Sequence, residues 1–149
     1  MRIEGSVALV TGGNRGIGKA FAEELLSRGA AKVYAVVRDV QTVTHPRLVP
    51  VRLDVTDAAA VTAAAASLGE VEIVVNNAGI AKSSLALSAP LDEARAQLEV
   101  NYLGLVSMTQ AFAPVLAANG GGAFINMLSV ASWASVPIVA TYSASKAAA

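Results

Sequence analysis

The stretch VALVTGGNRGIG, from Val7 to Gly18, constrains the fold more than any other part of the chain. Val7–Val10 reads as a buried strand, and Ile17, Phe21, Leu25 and Leu26 recur at helical spacing directly after the glycines. Glycines that join a strand to a helix let the backbone approach a pyrophosphate, whose charge is held by the free N–H groups and the dipole of the helix N-terminus. Gly12, Gly16 and Gly18 follow a GxxxGxG spacing rather than the commoner GxGxxG, and no GK[ST] follows to make a P-loop. The segment predicts a dinucleotide-binding turn with Gly12, Asn14, Arg15, Gly16, Ile17 and Gly18 against the cofactor. The alternative is a turn that only packs a strand against a helix.

The rest of the chain repeats the same alternation. Val33–Val37, Leu48–Leu53, Ile73–Val75 and Ala123–Leu128 read as further strands. Helices are expected over Gly16–Arg28, stopped by Gly29, over Asp57–Leu68 with Asp57 as its acidic N-cap, and over Leu91–Ala118, long or broken, with Pro114 late in it. Apolar strands alternating with helices imply an α/β fold: a doubly wound parallel sheet of Rossmann type with helices on both faces. The link from Arg38 to Leu48 is too short for a crossover helix and reads as a loop or a single turn. No repeat or linker divides residues 1–149, so one domain is expected.

Composition removes several kinds of chemistry. With 54% hydrophobic and 15% charged residues the chain is too apolar to be disordered, and its formal charge of zero offers no field for nucleic acid. Cysteine is absent and His45 is the single histidine, which excludes thiolate catalysis, disulfides and a histidine metal cluster. The first residues lack the apolar core of a signal peptide, and no uninterrupted apolar run approaches a membrane span, so a cytoplasmic protein is expected.

The end of the second strand bears on the cofactor. An acid there accepts the ribose 2′-hydroxyl of NAD, whereas an arginine accommodates the 2′-phosphate of NADP. The strand VYAVV runs into Arg38 and Asp39. Arg38 comes first into the loop and Arg15 adds a cation from the glycine turn, which favours NADP(H) over NAD(H). By counting alone Asp39 could be the acid, and a solvated Arg38–Asp39 pair is the remaining alternative.

Six features in order then carry a resemblance: TGGNRGIG, Leu53-Asp54-Val55 after the third strand, Asn76-Asn77-Ala78-Gly79 after the fourth, Asn101 in VNYLG, Ser129 after the fifth, and Tyr142-x-x-x-Lys146. From Val7 to Ala149 the chain resembles the short-chain dehydrogenase/reductase family, and YAVVRD is similar to its NADP-dependent carbonyl reductases. The resemblance implies that Asp54 receives the adenine amino group beside the Val55 backbone, and that Asn77, Ala78 and Gly79 line the cofactor cleft. It also implies that Ser129 hydrogen-bonds the substrate oxygen, and that Asn101 helps relay protons from Lys146, which holds the nicotinamide ribose. On the residues alone, Asp54 could equally be a cap or loop carboxylate and Asn101 a satisfied buried amide.

The expected catalytic set is Asn101, Ser129, Tyr142 and Lys146. Hydride reduction of a carbonyl needs a proton donor at the oxygen, and a tyrosine serves when a nearby ammonium favours its phenolate. Residues four apart share a helix face, so Lys146 stands beside Tyr142. Family members run to about 250 residues as one domain, so further strands and a substrate lid are expected beyond Ala149. The expected function is NADPH-dependent interconversion of a small-molecule carbonyl and alcohol, in homodimers or homotetramers, without metal. A non-catalytic NADP-binding protein and an inactive fragment are the alternatives.

Overall fold

The computed structural model describes residues 2–149. Five parallel strands make one sheet: β1 (Val7–Thr11), β2 (Lys32–Val37), β3 (Leu48–Arg52), β4 (Ile73–Asn76) and β5 (Ala123–Asn126), in the order β3-β2-β1-β4-β5. Successive side chains of a strand point to opposite faces, and both faces are apolar here. Ala8, Val10, Val33, Ala35, Ile73 and Val75 face α1 (Gly16–Ser27), which buries Ala22, Leu25 and Leu26 against them. Leu9, Tyr34, Val36 and Val74 face the other way. There they meet Val61 and Ala65 of α2 (Ala58–Ser67) and Met108, Phe112 and Leu116 of α4 (Gly104–Ala118).

Local chemistry sets the element ends. Arg28 caps α1 and Gly29 follows at φ 85°, the left-handed step that ends many helices. Asp57 caps α2 by accepting the Ala60 N–H at 2.9 Å. The Arg38–Leu48 link holds a single 3₁₀ turn, Val40–Thr42. Pro50 is accommodated because β3 lies at the sheet edge. β5 stops at Asn126, two residues before the expected Leu128, although the Met127 N–H still reaches Asn76 O at 2.9 Å.

The long helical stretch is broken, but not at Pro114, which lies within α4. α3 (Leu91–Leu98) passes into α4 through a π turn, Glu99–Leu103, whose Glu99 carbonyl accepts from Gly104 N. By length and hydropathy Leu91–Ala118 would suffice to cross a membrane. It carries Asp92, Glu93, Arg95 and Glu99 and buries Phe112 and Leu116 in the sheet core, so we read it as a core helix. The last element, α5 (Ala140–Ala148), packs on α3, on the π turn and on a 3₁₀ turn at Val130–Ser132.

The strand order reverses between β1 and β4. In open parallel sheets the crevice at the carboxyl ends of such a pair binds ligands. The glycine turn leaves β1 at that place, and Asn76–Gly79 leaves β4 beside it.

Candidate active site

The two turns at the crevice are sewn together by one hydroxyl. Thr11 Oγ1 accepts the N–H groups of Asn77 and Ala78, both at 2.9 Å, and donates to Val75 O. The Thr11 carbonyl takes Asn77 Nδ2 at 2.8 Å. Asn76 instead turns into the sheet, with Nδ2 on Asn126 Oδ1 at 2.9 Å and on Thr109 Oγ1 at 3.3 Å.

This frame leaves room for nothing larger than glycine at two points. Gly12 sits at φ 69°, where side chains are rarely tolerated, and a methyl group on Gly18 would come within 2.3 Å of the Gly12 carbonyl. Arg15 occupies the N-cap of α1 without capping it through its side chain. The first N–H groups of that helix are therefore available to an anion.

The turns open onto a cleft of about 1100 Å³ that takes in Gly12, Asn14, Arg15, Gly16, Ile17, Gly18, Arg38, Asp54, Val55, Asn77, Ala78 and Gly79. These twelve of the residues expected at the cofactor are thus brought together, whereas Tyr142 and Lys146 are not among those that line this cleft, and the Gly18 contact and the uncapped helix end fit an extended dinucleotide. Asp54 Oδ1 accepts the Thr56 N–H at 3.0 Å and the Thr56 hydroxyl at 2.8 Å. These bonds, with a smaller effect of the Arg38 charge, hold the Asp54 carboxyl below the usual range. Asp39 lines the cleft as well, but its carboxylate caps the 3₁₀ turn by accepting Gln41 N–H at 3.0 Å. Neither Arg15 nor Arg38 has an ion-pair partner among the described residues.

A second group forms where α5 meets the π turn. Lys146 is buried, 7% exposed, and its Nζ donates to Met127 O at 2.6 Å. Burial pushes its ammonium below the ordinary lysine range. Tyr142, half-buried, is one turn earlier on α5. Ser129 caps the 3₁₀ turn after β5, its Oγ accepting Ala131 N–H at 3.1 Å, which leaves the hydroxyl proton to donate elsewhere.

Asn101 lies in the π turn with both amide protons in use, one on Ile80 O at 2.8 Å and one on Ser145 Oγ at 2.9 Å. Its Oδ1 accepts Ile80 N–H at 2.8 Å. The side chain is the satisfied buried amide that the sequence left open. A carbon added to Gly79 would lie 3.1 Å from Asn101 Oδ1 and 3.8 Å from Lys146 Nζ, so those two groups flank the end of the Asn76–Gly79 turn.

Residues 6–149 match the profile of the family described as short chain dehydrogenase. The chain belongs to that family. The chain is 35% identical over 99% of its length to a sorbitol dehydrogenase of Cereibacter sphaeroides and covers 62% of that protein. Among solved structures it matches a short chain dehydrogenase of Burkholderia cenocepacia in complex with NADP, with a TM-score of 0.94 and 46% identity over 99% of this chain and 63% of the other. It also matches a short chain dehydrogenase/reductase of Burkholderia phymatum in complex with NAD, with a TM-score of 0.88 and 30% identity over 99% of this chain and 57% of the other. The chain thus spans less than two thirds of the length of these relatives.

Sequence reasoning missed several residues that hold the site together. Thr11 is visible as a turn residue, but its three bonds depend on the fold. Thr42 accepts Asn14 Nδ2 at 3.0 Å and so ties the glycine turn to the turn after β2. Gln97, Thr141 and Ser145 connect α3 and the π turn to α5. The only sequence signal for Gln97 is its place four residues before Asn101, on the same helix face.

Proposed function

We propose that the protein is an NADPH-dependent oxidoreductase that interconverts a carbonyl compound and a secondary alcohol. The observation that carries the cofactor choice is the division of labour after β2. Asp39, the one acid in position for a ribose 2′-hydroxyl, is engaged in capping Val40–Thr42, while Arg38 and Arg15 line the cleft without ion pairs among the described residues. Two guanidinium groups suit a 2′-phosphate, to which each can donate more than one hydrogen bond. The NADP complex of the Burkholderia cenocepacia relative agrees with this reading, and the NAD complex of the more distant one is the reason to test it.

The glycine turn and the first N–H groups of α1 would hold the pyrophosphate, and Asp54 the adenine end. NADPH, when bound, supplies a hydride. Tyr142 gives its phenolic proton to the carbonyl oxygen as negative charge develops there. Ser129 donates its hydroxyl proton in a hydrogen bond to the same oxygen. Lys146, with one donor fixed on Met127 O, keeps two for the ribose and the phenol. Its ammonium favours the phenolate left behind.

The test has two arms. Titration of the chain with NADPH and NADH, followed by nicotinamide fluorescence, should give tighter binding of NADPH, and Arg38→Asp should weaken NADPH selectively. Equal affinity for both cofactors removes the NADP assignment. In the full-length protein, Tyr142→Phe should abolish turnover while leaving cofactor affinity nearly unchanged; retained turnover refutes the proton-donor role.

A further inference from the structure

The contact between the α3 side of the π turn and α5 has a second rung. Asn101 reaches Ser145 across that contact, and Gln97, one turn earlier, reaches Thr141 with its Nε2 2.7 Å from Thr141 Oγ1. Gln97 and Asn101 are four apart on one helical face, and Thr141 and Ser145 are four apart on the face opposite. Each amide also clamps the chain that leaves the Asn76–Gly79 turn. Asn101 holds Ile80 through both N–H and C=O, and Gln97 Oε1 accepts Lys82 N–H at 3.1 Å. The remaining Nε2 proton of Gln97 goes to Glu93 O at 3.3 Å.

We infer that Gln97 is a positioning residue for the chemical step, setting the axial register and rotation of α5 so that Tyr142 and Lys146 stand correctly at the cleft. Gln97 is completely buried, 0% exposed, in a stretch where an apolar side chain would be the cheaper occupant. Its one bond to α5 goes to Thr141, the residue directly before Tyr142. One rung at Asn101 fixes a point on α5 but leaves the helix free to pivot about it. A second rung one turn away removes the pivot, and the segment Ile80–Lys82 locks both rungs to the cleft floor. A longer hold comes from the parallel bridge between Ser84 and Val139 at the entry to α5.

This inference rests on the proposed reductase chemistry for its consequence, but its structural core is measurable without turnover. The ring ¹³C resonance of Tyr142, assigned by its loss in Tyr142→Phe, reports where the phenol sits. Gln97→Met keeps an unbranched buried side chain of similar size and removes the amide; Thr141→Val removes only the hydroxyl; Thr141→Ser restores it. The Tyr142 resonance should move in Gln97→Met and in Thr141→Val, and should stay in place in Thr141→Ser. In the full-length enzyme kcat should fall by about tenfold to a hundredfold, the usual cost of misplacing a reacting group by about an ångström. KM for NADPH should change less than kcat, because the turns proposed to hold the pyrophosphate and the adenine do not touch Gln97 and α5 reaches the cofactor only through Lys146 at the ribose. The double variant should lose little more than either single one, as expected for two ends of one bond. A Tyr142 resonance unchanged in both Gln97→Met and Thr141→Val overturns the proposal, whatever the turnover. If the resonance moves but the full-length protein reduces no carbonyl with NADPH, the positioning role stands and the reductase reading fails.

Discussion

At the scale of single residues, the site depends on side chains that serve several partners at once. Thr11 does so in the crevice, and Glu70 does so at the opposite end of the sheet. Glu70 accepts from the Tyr34 hydroxyl and from Lys32 Nζ, the latter at 3.0 Å. Those bonds, Tyr34 first, hold its carboxyl down at about 2, while the same group in the unfolded chain titrates near 4.5. A carboxyl depressed in this way contributes stability that is fully present above about pH 4.5 and is lost as pH falls towards about 2. Thermal melts across that window should show a falling Tm, and Glu70→Gln should flatten the fall; an unchanged slope in the variant would assign acid sensitivity to other groups. Such clusters are hard to read in advance, because Glu70 is far along the chain from Lys32 and Tyr34 and meets them only once β2 and the end of α2 are in place. Asp39 shows the reverse case. Counting along the sequence leaves it as a candidate ribose acid, and only the 3₁₀ turn after it shows its carboxylate engaged elsewhere.

Among the elements, the legible ones were those whose ends carry their own chemistry. Strand cores follow from apolar runs, α1 from its periodicity and Gly29, and α2 from Asp57. α2 is mostly alanine and has little amphipathic pattern, so its start depends on that cap more than on packing. Asp57→Ala should cost about 1 kcal/mol, read as a shift of the urea midpoint at constant slope, and Asp57→Asn should restore most of it. The π turn at Glu99–Leu103 left no comparable mark. It differs from an α-helix by one extra residue in one turn, and no residue type demands that. Asn101 is a poor helix former, but its bonds to Ile80 and Ser145 could not be inferred before the loop and α5 were placed against it.

For the molecule as a whole, the sequence disclosed the alternation of strands and helices and therefore the class of fold, while strand order rests on long-range pairing. The order places β3 and β5 at the two edges. β3 carries Pro50 and Arg52, which discourage a further strand, whereas β5 presents Ile125, 36% exposed, and Leu128 follows it, 48% exposed. Trp133 nearby is 93% exposed and Val130 80%. In the 149-residue chain taken by itself, an unpaired edge beside exposed apolar side chains favours association through that side. Sedimentation of the 149-residue chain should reveal oligomers that dissociate on dilution and are insensitive to salt, and Ile125→Lys should reduce them; a monomer at all concentrations would show that the edge is already protected.

The π turn has one more consequence for the helix that contains it. Its extra residue rotates everything that follows by about 100° relative to an unbroken α-helix, since each residue turns the chain by that much. Gln97 just before the turn and Asn101 inside it face α5, while Met108, Phe112 and Leu116 after it are buried in the sheet core. A single rod thereby presents amides to α5 at one end and hydrocarbon to the sheet at the other. The turn sets the angle between the two: without its extra residue the polar seat for the tyrosine helix would swing by about 100° around the rod relative to the apolar anchor in the core.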